Sequence, residues 1–188
     1  MAEGDRSRWD GIYRQRNHLP YPDPDPLLFE YTPPLTTSYE KRALDLAGGL
    51  GQNGLWLAQQ GYVVDIMDIS RMALLRGRAE VIARNLRNLN FLQVDLDNVE
   101  LKASAYDLVC VFRYLKRDLF TQIRAAVRPG GRVIYETFNT RYLEVVPDFN
   151  PAYLLETGEL AGYFADWKLL HHSEIRHTSR LVARKPKA

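Results

Sequence analysis

An α/β fold with a doubly wound, mostly parallel sheet is predicted by three observations. Short apolar runs alternate with segments of helical spacing from Arg42 to Phe138, the order that builds βαβ units. A glycine-dense loop, Gly48-Gly49-Leu50-Gly51-Gln52-Asn53-Gly54, parts the first apolar run from the helix after it. Two apolar runs, Trp167–Leu170 and Arg180–Ala183, close the chain; the join between them is too short for a helical crossover, so they pair as an antiparallel hairpin. The expected architecture is a Rossmann-like, seven-stranded sheet, parallel except for that C-terminal hairpin.

Size and composition narrow the class. The chain has 188 residues, enough for one α/β domain. Its 46% hydrophobic and 26% charged residues are ordinary for a soluble globular protein. A formal charge of +2 is too mild to argue for nucleic acid. The single cysteine, Cys110, excludes an internal disulfide and fits a reducing compartment. Met1 to Arg8 lacks the apolar stretch of a signal peptide, and the longest apolar runs are too short to span a bilayer. The expected location is the cytoplasm, with no membrane partner.

Residues 1–40 are read as an N-terminal arm and proline-rich linker, and 41–188 as the domain. Residues 1–8 are expected to be disordered; Arg8 to Arg14 can form a short helix. Pro20, Pro22, Pro24 and Pro26 block helix and central strand and predict an extended linker. A short helix over Leu27–Tyr31 is stopped by Pro33-Pro34.

The domain then alternates. Strands are predicted over 43–47, 62–67, 90–94, 107–112 and 132–138, and helices over 53–60, 71–87 and 116–127. Ser70 is a good N-cap for the second of these helices. Its expected core face is Met72, Leu75, Ala79, Ile82, Ala83 and Leu86, with Arg71, Arg78 and Arg84 toward water. Leu119, Phe120, Ile123 and Val127 form one face of the third, which Pro129-Gly130-Gly131 stops. Residues 139–155 read as an irregular insertion, and Thr157 as the cap of a short helix through Phe164.

The loop matters most for chemistry. Glycines turn with positive φ and let backbone N–H groups approach a ligand closely. A helix that starts just beyond aims its positive end at that ligand. Asp68, closing the second strand, is placed to hydrogen-bond a ribose. The ligand is therefore a cofactor bearing a nucleoside. Gly49-x-Gly51-x-x-Gly54 also fits the dinucleotide fingerprint. Asp45 within the first strand, the lack of a second mononucleotide half and the terminal hairpin turn the reading away from NAD.

Those features resemble the class I S-adenosylmethionine-dependent methyltransferases over about residues 42–185. The family's first motif, acid-x-Gly-x-Gly-x-Gly, is matched by Asp45-x-Ala47-x-Gly49-x-Gly51, with Ala47 replacing the first glycine. The resemblance implies S-adenosyl-L-methionine as cofactor. It assigns contacts to Asp45, Ala47, Gly48, Gly49 and Gly51, to Asp68 with Ile69 at the ribose, to Asp95 with Leu96 beside adenine, and to Val111 and Phe112 at the methionine end. Arg128-Pro129-Gly130-Gly131 matches the family's turn before the fifth strand. A narrower resemblance joins Trp9-x3-Tyr13, Asn53, Phe112-x-Tyr114-Leu115 and Asp166-Trp167 to the tellurite-resistance and thiopurine methyltransferase branch. That branch methylates small soft nucleophiles or oxyanions and closes its site with the N-terminal arm.

Each residue also has a plain structural role open to it. Asp68 can be a solvated strand-end acid, Asp95 a turn residue, and Asp45 a brace for loop N–H groups. Trp9 and Tyr13 can be a packed anchor or a lid. Cys110, in mid-strand, reads as core. His171, His172 and His177 lie on a hairpin whose adjacent residues face opposite ways, so no metal is expected. Arg113 can pair with a carboxylate or bind an anionic substrate. Trp9, Tyr13, Arg113 and Tyr114 are the candidate substrate or lid residues. The expected partner is a small-molecule methyl acceptor rather than nucleic acid, and the protein a monomer or homodimer. The alternatives are an NAD(P)-binding oxidoreductase and a non-catalytic cofactor-binding protein of the same fold.

Overall fold

The structure, a computed structural model, describes residues 2–35 and 39–187. Met1 and residues 36–38 of the predicted arm lie outside the described residues. Seven strands, β1 (Arg42–Leu46), β2 (Val63–Asp68), β3 (Leu89–Gln93), β4 (Tyr106–Phe112), β5 (Val127–Phe138), β6 (Lys168–Ile175) and β7 (Thr178–Arg184), form one sheet. Their order is β3-β2-β1-β4-β5-β7-β6. The predicted mixed sheet is present, with its C-terminal strands antiparallel. Contacts divide the chain into two compact units, residues 1–100 and 101–188.

In the first unit β1, β2 and β3 run parallel, with Leu44 opposite Asp65 and Ile66 opposite Phe91. Alternate residues of a strand face opposite sides, and β1 and β2 are buried almost throughout, so both faces are covered. Buried Asp65 is matched by Arg42 at 2.9 Å and by the Asn90 amide at 2.7 Å. Helix α3 (Gln52–Gln59) follows β1, and α4 (Arg71–Ala83) follows β2.

The N-terminal segment differs from its expectation. Residues expected to be disordered belong to helix α1 (Ala2–Gln15), which packs on α4. The reason is tertiary: Arg76 donates to the carbonyls of Arg16 and Leu19, and Asp10 reaches the start of α4. The proline stretch leads into helix α2 (Pro26–Tyr31), capped by Asp25 and started by Pro26. It is tied down, since the Tyr21 hydroxyl donates to the Leu50 carbonyl and the Asp25 N–H to the Asn53 side chain.

The core face predicted for residues 71–87 is also corrected. The buried residues of α4 are Ala73, Leu74 and Gly77, whereas Leu75, Ala79, Ile82 and Ala83 are exposed. The helix also stops at Ala83, and Asn85 just beyond it turns left-handed. Gly77 decides the face: a β-carbon there would collide with the Leu50 carbonyl and lie 2.6 Å from the Phe91 ring. Only the glycine face can approach the loop so closely.

In the second unit β4 and β5 are parallel, and β7 pairs antiparallel with both β5 and β6. Helix α5 (Leu119–Ala126) buries Leu119, Phe120 and Ile123, as its spacing predicts. β5 begins earlier than expected, at Val127, and carries the Pro-Gly-Gly turn within it as an irregularity opposite β4. A short helix, α6 (Glu159–Gly162), is capped by left-handed Gly158 rather than by Thr157. Arg117 grips Glu159 through two bonds of 2.7 and 2.9 Å and donates to the carbonyls of Ala152 and Leu154. That fork holds the irregular insertion in place. Among the described residues no helix is long and apolar enough to cross a membrane.

Candidate functional site

Strand β1 ends in the glycine loop, and three residues there take left-handed backbone: Ala47 at φ 53°, Gly49 at 58° and Gly51 at 83°. The loop glycines have separate tasks. β-Carbons on Gly48, Gly51 and Gly54 would press on Ile66 at 2.9, 2.8 and 2.6 Å, so these three let α3 and the loop sit down on β2. Gly49 is different: the atoms nearest its added β-carbon are those of Tyr13, headed by the hydroxyl. Tyr13 therefore lies directly over Gly49.

Asp68, at the end of β2, is buried beside the loop. One carboxylate oxygen accepts from the Gly49 N–H at 2.7 Å and the other from the Ser70 N–H at 2.8 Å. Burial pushes its carboxyl above the ordinary value, against the pull of these backbone N–H groups, and the charge of Asp10 adds to the rise. The Ile69 N–H adds a third backbone bond, so of the roughly four acceptor sites of an ionised carboxylate about one is left. Ile69, next in the chain, is half-buried, and its carbonyl accepts from Gln93 at 3.2 Å.

Asp45 is almost wholly buried and accepts from the Gly54 N–H at 2.9 Å, the first turn of α3. This is the geometry of a brace. Asp95 lies past β3 and accepts from the Asp97 N–H at 2.9 Å and the Asn98 side chain at 2.7 Å, making a turn that leads past buried Leu96.

Tyr13 stands on α1 one helical turn after Trp9, with the ring centres 6.1 Å apart. Burial first, and then the charge of Asp68, hold its hydroxyl protonated far above the usual phenol range. Trp9 remains 39% exposed, so of the pair only Tyr13 is applied to the loop. Two contributors escaped the sequence reading. Asp10 accepts from the Ser70 hydroxyl at 2.7 Å and the Met72 N–H at 3.0 Å. Tyr21 bonds the loop carbonyl of Leu50 at 2.5 Å. A Trp-x3-Tyr pair with an acid between its members, at helical spacing, was the available signal for Asp10.

In the second unit Val111 and Phe112 end β4 and are buried. Arg113 follows with left-handed backbone at φ 56°, its N–H bonded to the Glu136 carbonyl at 2.8 Å and its side chain exposed. The carbonyl of half-buried Tyr114 accepts from the Tyr135 hydroxyl at 2.8 Å. Cys110 is buried in the strand.

Comparison with known proteins shows what this arrangement is similar to. Residues 43–131 match the family described as methyltransferase domain. Hemagglutinin 1 of Eikenella corrodens is 29% identical over 143 residues, which are 71% of this chain and 46% of that protein. Among solved structures, TehB from Haemophilus influenzae has a TM-score of 0.68 at 18% identity, covering 79% of this chain and 58% of that one. An S-adenosylmethionine-dependent methyltransferase from Mesorhizobium loti has a TM-score of 0.70 at 17% identity, covering 85% and 96%. The chain thus spans about half the length of hemagglutinin 1. The matched domain and the fold imply S-adenosyl-L-methionine as cofactor. Residues 43–131 are thus similar to a methyltransferase domain, and the chain has the fold of the S-adenosylmethionine-dependent methyltransferases.

Proposed function

We propose that the protein transfers a methyl group from S-adenosyl-L-methionine to a small-molecule acceptor, a thiol or a chalcogen oxyanion. The observation that carries the reading is Asp68, fixed by the Gly49 and Ser70 N–H groups at the end of β2 with acceptor capacity to spare for a ribose. Asp95 and Leu96 are the adenine-side candidates. When bound, the cofactor supplies a methyl group on positively charged sulfur, a leaving group that needs no further activation.

The work left to the chain is to hold, orient and exclude water. The protonated Tyr13 hydroxyl lies over Gly49, where it is a candidate donor to the bound cofactor. Phe112, Tyr114 or Tyr13 can offer an aromatic face to the sulfonium. From Val111 to Arg117 there is no His, Asp or Glu to act as a general base. An acceptor that ionises unaided near neutral pH, such as a thiol, suits that lack. Exposed Arg113 is the candidate for an anionic acceptor. The mild net charge and the absence of an Asn-Pro-Pro-Tyr motif support a small acceptor over nucleic acid, and the lone cysteine supports a cytoplasmic setting.

Calorimetric titration with S-adenosylmethionine tests the site. Asp68→Ala should weaken binding by about 1–3 kcal/mol, the worth of charge-assisted hydrogen bonds; unchanged affinity removes Asp68 from the ribose. Titration with NADH separates the oxidoreductase alternative. In an acceptor panel of thiols, selenite and tellurite, Arg113→Ala should impair anionic acceptors more than neutral ones. Equal loss on both removes Arg113 from acceptor choice.

A further inference from the structure

Resting on that reading, we propose that Asp10 is a positioning residue for Asp68, and that through it the N-terminal helix becomes part of the cofactor site. The two acids are linked by Ser70. Its hydroxyl donates to Asp10 at 2.7 Å and accepts from the Ala73 N–H at 3.1 Å, so its rotamer is fixed from both sides. Its backbone N–H is one of the three backbone donors to the Asp68 carboxylate. The same Asp10 oxygen takes the Met72 N–H at 3.0 Å, so the start of α4 has a second cap brought from α1.

Another of those donors is Gly49, and Gly49 is the residue that Tyr13 covers. Tyr13 lies one helical turn after Asp10 on the same helix. Hydrogen bonds therefore link Asp10, Ser70, Asp68 and Gly49, and the packing of Tyr13 over Gly49 closes the circuit within a single turn of α1. At the far end of the pair, Arg76 fastens α4 to the carbonyls of Arg16 and Leu19. A ligand that engages Asp68 must then favour the docked helix, and the docked helix must favour the ligand by the same factor.

The test pairs calorimetry with amide hydrogen exchange on the full chain. Its probes are S-adenosylhomocysteine and the analogue of it that lacks both ribose hydroxyls. Asp10→Ala should weaken S-adenosylhomocysteine about tenfold, the size of one lost charge-assisted contact, and change affinity for the analogue little. It should also speed exchange over residues 2–15 without ligand, while S-adenosylhomocysteine should slow exchange there in the wild type. Asp10→Asn, which keeps an oxygen for Ser70 and Met72, should recover most of the affinity. Wild-type affinity in Asp10→Ala, equal loss on both ligands, or ligand-independent exchange in α1 overturns the role of Asp10 and leaves the cofactor reading standing. A wild type that binds no S-adenosylhomocysteine overturns both, and that titration comes before any variant.

Discussion

Ala47 shows how a single residue bears on the loop. It holds φ at 53°, where the family motif places glycine, and its β-carbon crowds its own backbone there. Relief of that strain outweighs the entropy that glycine adds to the unfolded chain, so Ala47→Gly should stabilise by about 0.5–1 kcal/mol. A urea midpoint that stays put or falls contradicts this. Asp45 is the converse case, a strand acid that accepts from the Gly54 N–H at 2.9 Å. Its removal strands a buried donor, and Asp45→Ala should cost about 1–3 kcal/mol of stability with no ligand present. Full stability in that variant would leave ligand contact as the remaining reason for an acid in β1.

At the scale of elements, α4 is the instructive case. Its apolar residues form two stripes, and spacing alone favours the longer one, through Leu75, Ala79 and Ile82. The stripe that is buried runs through Ala73, Leu74 and Gly77. A glycine inside a helix costs about 1 kcal/mol against alanine, and close packing offsets that cost here. Gly77→Ala should therefore destabilise by about 1–3 kcal/mol despite alanine's better propensity, because the new methyl meets the Leu50 backbone and the Phe91 ring. Ala79→Gly, on the exposed face, should lose only about 1 kcal/mol, the propensity difference. Chemical denaturation of both variants checks the pair; a gain at Gly77 would contradict the packing.

For the molecule as a whole, pH separates two acids of the same circuit. Burial raises Asp10, but the bonds from Met72 and Ser70 and the charges of Arg14 and Arg6 outweigh it, leaving the carboxyl below its ordinary 3.8. Its contribution to stability is present above that value and is lost as pH falls through the lower, folded one. Asp68 has the opposite sign: burial raises its carboxyl, so stability present at low pH is lost as pH rises through the raised value. On acidification the wild type should gain on Asp68→Asn first and then, below 3.8, lose ground to Asp10→Asn. Urea titrations over the acid range measure both, and parallel curves would contradict the opposed shifts. Much of this architecture was legible without coordinates. Strand runs, the glycine loop and the hairpin are local patterns, because backbone geometry and side-chain period are set by near neighbours. Helix α1, the face of α4, the left-handed Ala47 and the reach of Asp10 to Ser70 were not legible. Each depends on partners tens of residues away, and a bond such as Asp10 to Ser70, spanning 60 positions, leaves no period in the chain. The sequence by itself determined the strands and their order along the chain; the packing of α1 and α4 around the loop decided which side chains surround Gly49 and Asp68, since only folding brings distant donors and acceptors within bonding distance.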